Sequence, residues 1–143
     1  MPALTGAHHV ALTVTDVDRS VPWYERVLGF TAQDWDDEGD LAARKVALNG
    51  FGMTLTLVQH AGVQRQSFDE CRPGLDHLSL PVASAAELTT WAESLTALGV
   101  PFSQVPGTAN LSLRDPDGIQ LVLAAPAAAL AARPHAGSVS DSS

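Results

Sequence analysis

The stretch His9-Val10-Ala11-Leu12-Thr13-Val14 returns later in the chain as His77-Leu78-Ser79-Leu80-Pro81-Val82, at an offset of 68 residues. The same offset superimposes Trp23 on Trp91 and Glu25 on Glu93. A two-residue insertion shifts it to 70, so that Leu28-Gly29-Phe30 matches Leu98-Gly99-Val100. Near the end of each copy, Gly52-x-x-Leu55-Thr56-Leu57 aligns with Gly118-x-x-Leu121-Val122-Leu123 at 66. The chain is therefore read as an internal duplication. A solenoid stacks at least three units, so two copies are expected to pack as a pseudo-symmetric pair. One histidine at the same place in each copy points to a site on the axis between them.

Each copy spells out the same order of elements. Residues 8 to 14 alternate, with Val10, Leu12 and Val14 on one face and His9, Ala11 and Thr13 on the other, as a strand with one packed face does. By that alternation His8 points away from His9. Thr15 or Asp16 can cap a helix in which Val17, Val21, Tyr24, Val27 and Leu28 share a stripe, with Pro22 in its first turn and Gly29 at its end. Phe30 opens a strand toward Trp35, and the acidic run Asp34 to Asp40 makes a hairpin tip. Strands over 43–48 and 53–59 follow, joined at Asn49-Gly50, a strong hairpin signal. The second copy repeats this with a strand at 76–82, a helix at 85–98 and short strands at 100–104, 109–114 and 119–124, the last turn being Asp115-Pro116-Asp117-Gly118. The expected organisation is a first βαβββ module over 6–59, a linker over 60–75, a second module over 76–125 and an Ala/Ser-rich tail over 126–143, helical near 127–132 and otherwise disordered.

Composition narrows the function classes. A 143-residue chain with 45% hydrophobic and 17% charged residues can build one core. A module of about 60 residues buries little surface alone, so the two should depend on each other or on a second subunit. The net charge of −8 argues against nucleic acid, whose phosphates are held by Lys and Arg, and is compatible with a cationic ligand. The lone Cys71 cannot form an internal disulfide, which fits a reducing cytoplasm. No long apolar run predicts a membrane span.

The segments His8-His9-Val10-Ala11-Leu12-Thr13-Val14-Thr15-Asp16, Trp23-Tyr24-Glu25-Arg26-Val27-Leu28-Gly29-Phe30, Gly74-Leu75-Asp76-His77-Leu78 and Asp115-Pro116-Asp117-Gly118 together resemble the vicinal oxygen chelate superfamily. That group includes glyoxalase I, type I extradiol dioxygenases, methylmalonyl-CoA epimerase, fosfomycin-resistance enzymes and bleomycin-binding proteins. The resemblance spans residues 6 to about 125. It implies an α+β fold in which two tandem βαβββ modules form a cup-shaped mixed sheet, usually within a homodimer. It does not imply one reaction, since the scaffold carries several chemistries and also simple binding.

In the family's enzymes a divalent metal is held by a side chain from the first and the last strand of each module. Carried over, the first-strand positions are His9 and His77, both suitable imidazole ligands. The last-strand positions, found from the two Leu-x-Leu frames, hold Thr56 and Val122, where the enzymes place a carboxylate, Gln or His and most often a Glu. Catalytic centres normally use about three protein ligands, so the resemblance implies an incomplete site for Fe, Mn, Ni or Zn, or no cofactor. His60 shares parity with Thr56 but lies about 13 Å along the strand. Gln120, about 7 Å from Val122, is closer to the centre. His9 and His77 read either as ligands or as inherited histidines hydrogen-bonded within the cup.

Two functions follow. The first is metal-independent binding of a small organic molecule in a cup lined by His9, Ala11, Thr13, Thr54, Thr56, Val58, His77, Ser79, Gln120 and Val122, with Trp35 as a further contact, in a sequestering or resistance role. The second is a metal-dependent lyase, isomerase or dioxygenase using His9 and His77. Its difficulty is the missing carboxylate, needed as base or ligand. A metal-free enzyme with His9 or His77 as general base is a reserve reading, for which the sequence offers no partner to orient the imidazole. Trp23 and Trp91 read as core residues, and Arg44, Arg65, Arg72 and Arg114 as unranked anion-binding groups.

Overall fold

The computed structural model describes residues 1–36 and 43–127. The acidic stretch 37–40 and the tail from 128, including most of the segment expected to be helical near 127–132, lie outside the described residues. The elements run β1 (Val10–Thr13), α1 (Val17–Trp23) continuing into a wider π turn (Tyr24–Leu28), β2 (Thr31–Asp36), β3 (Ala43–Gly50), β4 (Met53–His60), β5 (Leu78–Pro81), α2 (Ala85–Ala97), β6 (Phe102–Gln104), β7 (Leu111–Arg114) and β8 (Gln120–Ala124). They build two four-stranded mixed sheets, ordered β1-β4-β3-β2 and β5-β8-β7-β6. In each, the outer first strand runs parallel to the last strand and the remaining pairs are antiparallel. This is the α+β, twice βαβββ arrangement that the repeat implies.

Alternation decides which face of each sheet is packed. Leu12, Val46, Leu48, Leu55 and Leu57 from the first module and Leu80, Leu111, Leu113, Leu121 and Leu123 from the second are buried, and all belong to one core cluster. The helices add Val17, Val21, Tyr24, Val27, Leu88 and Leu95 to it. Each module thus lends its apolar face to a shared interior, as the small size of either alone requires.

Three local readings change. Pro22 lies in the helix interior, not its first turn, because the helix begins at Val17. It has no N–H to give to the preceding turn, and two residues later the backbone widens into the π turn, which Gly29 ends with φ 84°. The β3–β4 hairpin turns at Phe51-Gly52, with φ 55° and 75°, since pairing continues to Gly50 opposite Met53. Gly50 serves close approach instead: a Cβ there would lie 3.1 Å from the Phe30 ring. Finally, β1 begins at Val10, so His8 and His9 precede the strand and escape its alternation. Their rings meet edge-on with centroids 5.2 Å apart and Nδ1 atoms 2.9 Å apart.

Candidate functional site on the open faces of the sheets

Opposite the core, each sheet presents a second face, and the strand register fixes who sits beside whom. In the first sheet Ala11 pairs with Thr56, and Thr56 with Ala47; Thr13 pairs with Val58, and Val58 with Lys45. In the second, Ser79 pairs with Val122, Val122 with Ser112, and Ser112 with Ser103. Ala11–Thr56 and Ser79–Val122 are therefore the same place in the two modules. The two sequence offsets, 68 and 66, meet correctly in the register. His9 and His77 each stand one residue before their first strand, and the parallel register steps them toward Thr54 and Gln120.

Ala11, Thr13, Ser79 and both histidines are exposed, Thr54, Thr56 and Gln120 half-buried, and Val122 buried. Thr54 donates its hydroxyl to Asn49 Oδ1 at 2.9 Å. Trp35 pairs through its backbone with Val46 after a register shift in β2, and its side chain lies outside the described residues. His60 is exposed at the end of β4, opposite Ala43. Trp23 and Trp91 are half-buried against the core.

The sequence reading missed a partner for His77. Its Nδ1 lies 2.7 Å from Asp76 Oδ1, so the ring N–H donates to the carboxylate and Nε2 is left for another task. Asp76 is next to His77 in the chain, but both precede β5, where strand alternation no longer separates neighbours. The dipeptide Asp-His just ahead of a strand was the available signal.

The donors on these faces do not fit a divalent-metal centre. Two imidazoles are accompanied by a threonine hydroxyl and a valine where a conventional centre needs a third strong ligand. Among the described residues no group of three or more His, Cys, Asp or Glu is placed to hold a metal ion. Among the described residues, no such group brings a carboxylate or thiolate in place of Thr56 or Val122.

At one end of the face, the 61–75 connection closes a cavity of about 240 Å³ over Thr13 and Thr15, with Val63, Phe68, Leu75 and Ile119 among its walls. Phe68 N–H donates to the Asp117 carbonyl at 2.9 Å. Arg114 clamps Glu70 with contacts of 2.8 and 3.1 Å. That guanidinium holds the Glu70 carboxyl down at about 2, and Glu70 in turn raises Arg114 above its ordinary range. Arg44 is bound to Asp18 at 3.1 Å and Arg72 lies 3.7 Å from Asp69. Three of the four arginines considered as anion-binding groups are thus engaged within the chain.

The modules are joined beside this cavity. Asp117 accepts from the Thr15 backbone N–H at 3.0 Å, from the Thr15 hydroxyl, and from Arg19 at 2.9 Å. Buried Asp115 accepts from the Tyr24 hydroxyl and from the N–H groups of Asp117 and Ile119, each at 2.8 Å. Burial, opposed by those three donors, moves Asp115 above the usual carboxylate range, and burial beside Asp115 pushes the Tyr24 phenol far upward.

Two mixed sheets, each βαβββ, sharing one core and each carrying a histidine just ahead of its first strand, define a class of small duplicated α+β protein. The chain belongs to the Glyoxalase/Bleomycin resistance protein/Dioxygenase superfamily, whose model matches residues 6–123. Among solved structures it is similar to a glyoxylase/bleomycin resistance protein/dioxygenase domain from Frankia sp. EAN1pec, at 35% identity and a TM-score of 0.76, over 86% of this chain and 93% of that one. The fosfomycin resistance protein FosX from Listeria monocytogenes shares the fold at 17% identity and a TM-score of 0.64, over 87% and 93%. A mutant of that protein, solved with Mn(II) and 1S,2S-dihydroxypropylphosphonic acid, matches at 16% identity and a TM-score of 0.63, over 85% and 92%. No curated protein matches the chain. Among the described residues no helix is long and apolar enough to cross a membrane.

Proposed function

We propose that this protein binds a small organic molecule in a cup formed by the open faces of its two sheets, without a conventional metal centre. The observation that carries the reading is the pair of equivalent places Ala11–Thr56 and Ser79–Val122. Where the superfamily's enzymes set metal ligands, this chain has a hydroxyl and an isopropyl group. Such a lining suits a mostly apolar ligand oriented by a few hydroxyls, with His9, His77, Thr54 and Gln120 supplying polar contacts. Sequestration alone then gives a resistance or self-protection role. The binding form in this reading is a homodimer, because the exposed strands β1 and β5 leave the cup open; sedimentation at micromolar concentration checks this.

The test is calorimetric titration with a panel of small molecules, metal-free bleomycin and fosfomycin among them, in the presence and absence of a chelator. Saturable binding that survives chelation and is lost in Thr56→Trp and Val122→Trp is expected. Binding that requires added Mn(II) or Fe(II) contradicts the reading.

A second reading has one observation in its favour, the 2.7 Å Asp76–His77 contact. A carboxylate on Nδ1 fixes the tautomer that leaves Nε2 as an acceptor, the arrangement a general base needs. In that case turnover of a bound ligand would fall in both His77→Ala and Asp76→Asn, whereas a pure binder shows no turnover to lose.

A further inference from the structure

The internal duplication creates two equivalent crevices on the helical side of the sheets, and their contents differ. In the first, Arg19 and Trp23 stand one helical turn apart on α1, with Leu98, Val100 and Pro101 opposite. Their counterparts on α2, at the 68-residue offset, are Glu87 and Trp91. These line a cavity of about 450 Å³ together with Leu28, Phe30, Phe51, Met53, Leu80 and Val82. The cavity includes none of the open-face residues His9, Thr13, Thr54, Thr56, His77, Ser79, Gln120 or Val122.

The difference is one of charge as well as shape. Arg19 brings its own cation to the first crevice and hands it to Asp117 at 2.9 Å. In the second, the position equivalent to Asp117 is Phe51, which is 75% exposed. The position equivalent to Arg19 is Glu87, the one charged residue in the lining. Glu87 makes no ion pair among the described residues. Side chains four apart on a helix are neighbours, with Cβ atoms about 5–6 Å apart, so one positive group can touch both the Glu87 carboxylate and the Trp91 ring. Indole faces attract cations, and the attraction grows as water is excluded. The remaining walls are aromatic and aliphatic, and the volume lies in the range of small-molecule sites.

We infer that this crevice is a second ligand site, separate from the cup, for a lipophilic organic cation: an ammonium group seated between Glu87 and Trp91 with an aromatic or branched apolar body against Phe30, Phe51 and Met53. The ligand supplies the cation that Arg19 supplies internally in the twin.

The probe is the benzyltrimethylammonium ion, with benzyl alcohol as its neutral counterpart, titrated into the full chain and followed through the indole N–H signals of Trp23, Trp35 and Trp91, assigned by Trp→Phe variants. Saturable movement of the Trp91 signal by the cation is expected, with affinity weakened about tenfold by Glu87→Gln. Glu87→Arg, which copies the twin, should abolish it, while the weaker effect of benzyl alcohol changes little in either variant. Glu87 is exposed, so these variants keep the fold. Thr56→Trp, which fills the cup, should leave the titration unchanged. The inference is overturned if the Trp91 signal does not move at millimolar cation, if Glu87→Gln binds as tightly as the parent, or if Thr56→Trp removes the response and so places the cation in the cup. Loss of cup binding in the earlier titration would leave this result untouched.

Discussion

The two junctions between the modules occupy equivalent places and are held by opposite means. Where the end of β1 meets the β7–β8 turn, Thr15, Arg19 and Tyr24 form a polar lock with Asp115 and Asp117. Where the end of β5 meets the β3–β4 turn, the counterparts are Ala83, Glu87, Ala92, Asn49 and Phe51, and the junction is an apolar crevice. Copies of one ancestral unit have diverged so that one junction is tied by hydrogen bonds and an ion pair and the other is lined by apolar side chains, each beside a cavity, of about 520 and 450 Å³.

The largest expected effect separates the two seams directly. Asp115→Ala strips the Tyr24 hydroxyl and two backbone N–H groups of their acceptor at a buried site, and should cost about 3 kcal/mol in denaturant unfolding. Its counterpart Asn49→Ala, at an exposed position, should cost less than about 0.5 kcal/mol. Equal losses at the two positions would remove the distinction.

Tyr24→Phe sharpens the same point by deleting one donor and keeping the ring. A loss of about 1–2 kcal/mol is expected. The Asp115 carboxylate then has only two backbone donors against its burial, so its pKa should rise further, which side-chain carbon NMR would read.

Acid titration of stability gives a smaller effect. Glu70, held near 2 by Arg114, contributes stability that is present above its ordinary value of 4.5 and lost as pH falls through about 2. Asp115 works in the other sense: its raised value means that the folded chain takes up this proton before the unfolded one, so acidification favours folding. Glu70→Gln should therefore flatten the fall in melting temperature between pH 5 and pH 2, modestly because the pair is solvent-facing. An unchanged acid limb in that variant would show the pair to be inert.

The smallest effect concerns Ser20, whose buried hydroxyl has no hydrogen-bond partner among the described residues and whose counterpart in the second module is the buried Leu88. Ser20→Ala should be neutral or stabilising by up to about 1 kcal/mol, since it removes an unpaired polar group. A clear loss in thermal unfolding would mean that the hydroxyl is engaged.

The module order and the equivalence of Thr56 with Val122 were legible because a duplication aligns a chain with itself. Ala11–Thr56 and Ser79–Val122 in the register repeat what the offsets state. The details that escaped lie where the repeating pattern stops. His8, His9, Asp76 and His77 precede their strands, so alternation could not place them, and the Asp76–His77 pair went unseen. Asn49-Gly50 suggested a turn, yet ladder pairing extended past it and Phe51-Gly52 took the left-handed conformations. The Asp115–Tyr24 lock joins residues 91 positions apart and left no periodic trace in the sequence. The asymmetry of the crevices could have been found by comparing Arg19 with Glu87 and Asp117 with Phe51, once the duplication is used to look for differences as well as likenesses.

The central claim, that the cup binds without a conventional metal centre, is tested most directly by metal stoichiometry. Tag-free protein would be reconstituted anaerobically with Fe(II), Mn(II), Ni(II) and Zn(II) and measured by elemental mass spectrometry beside a His9→Ala/His77→Ala variant. Metal no higher in the parent than in the variant is the predicted result; about one ion per cup, lost in the variant, would contradict it.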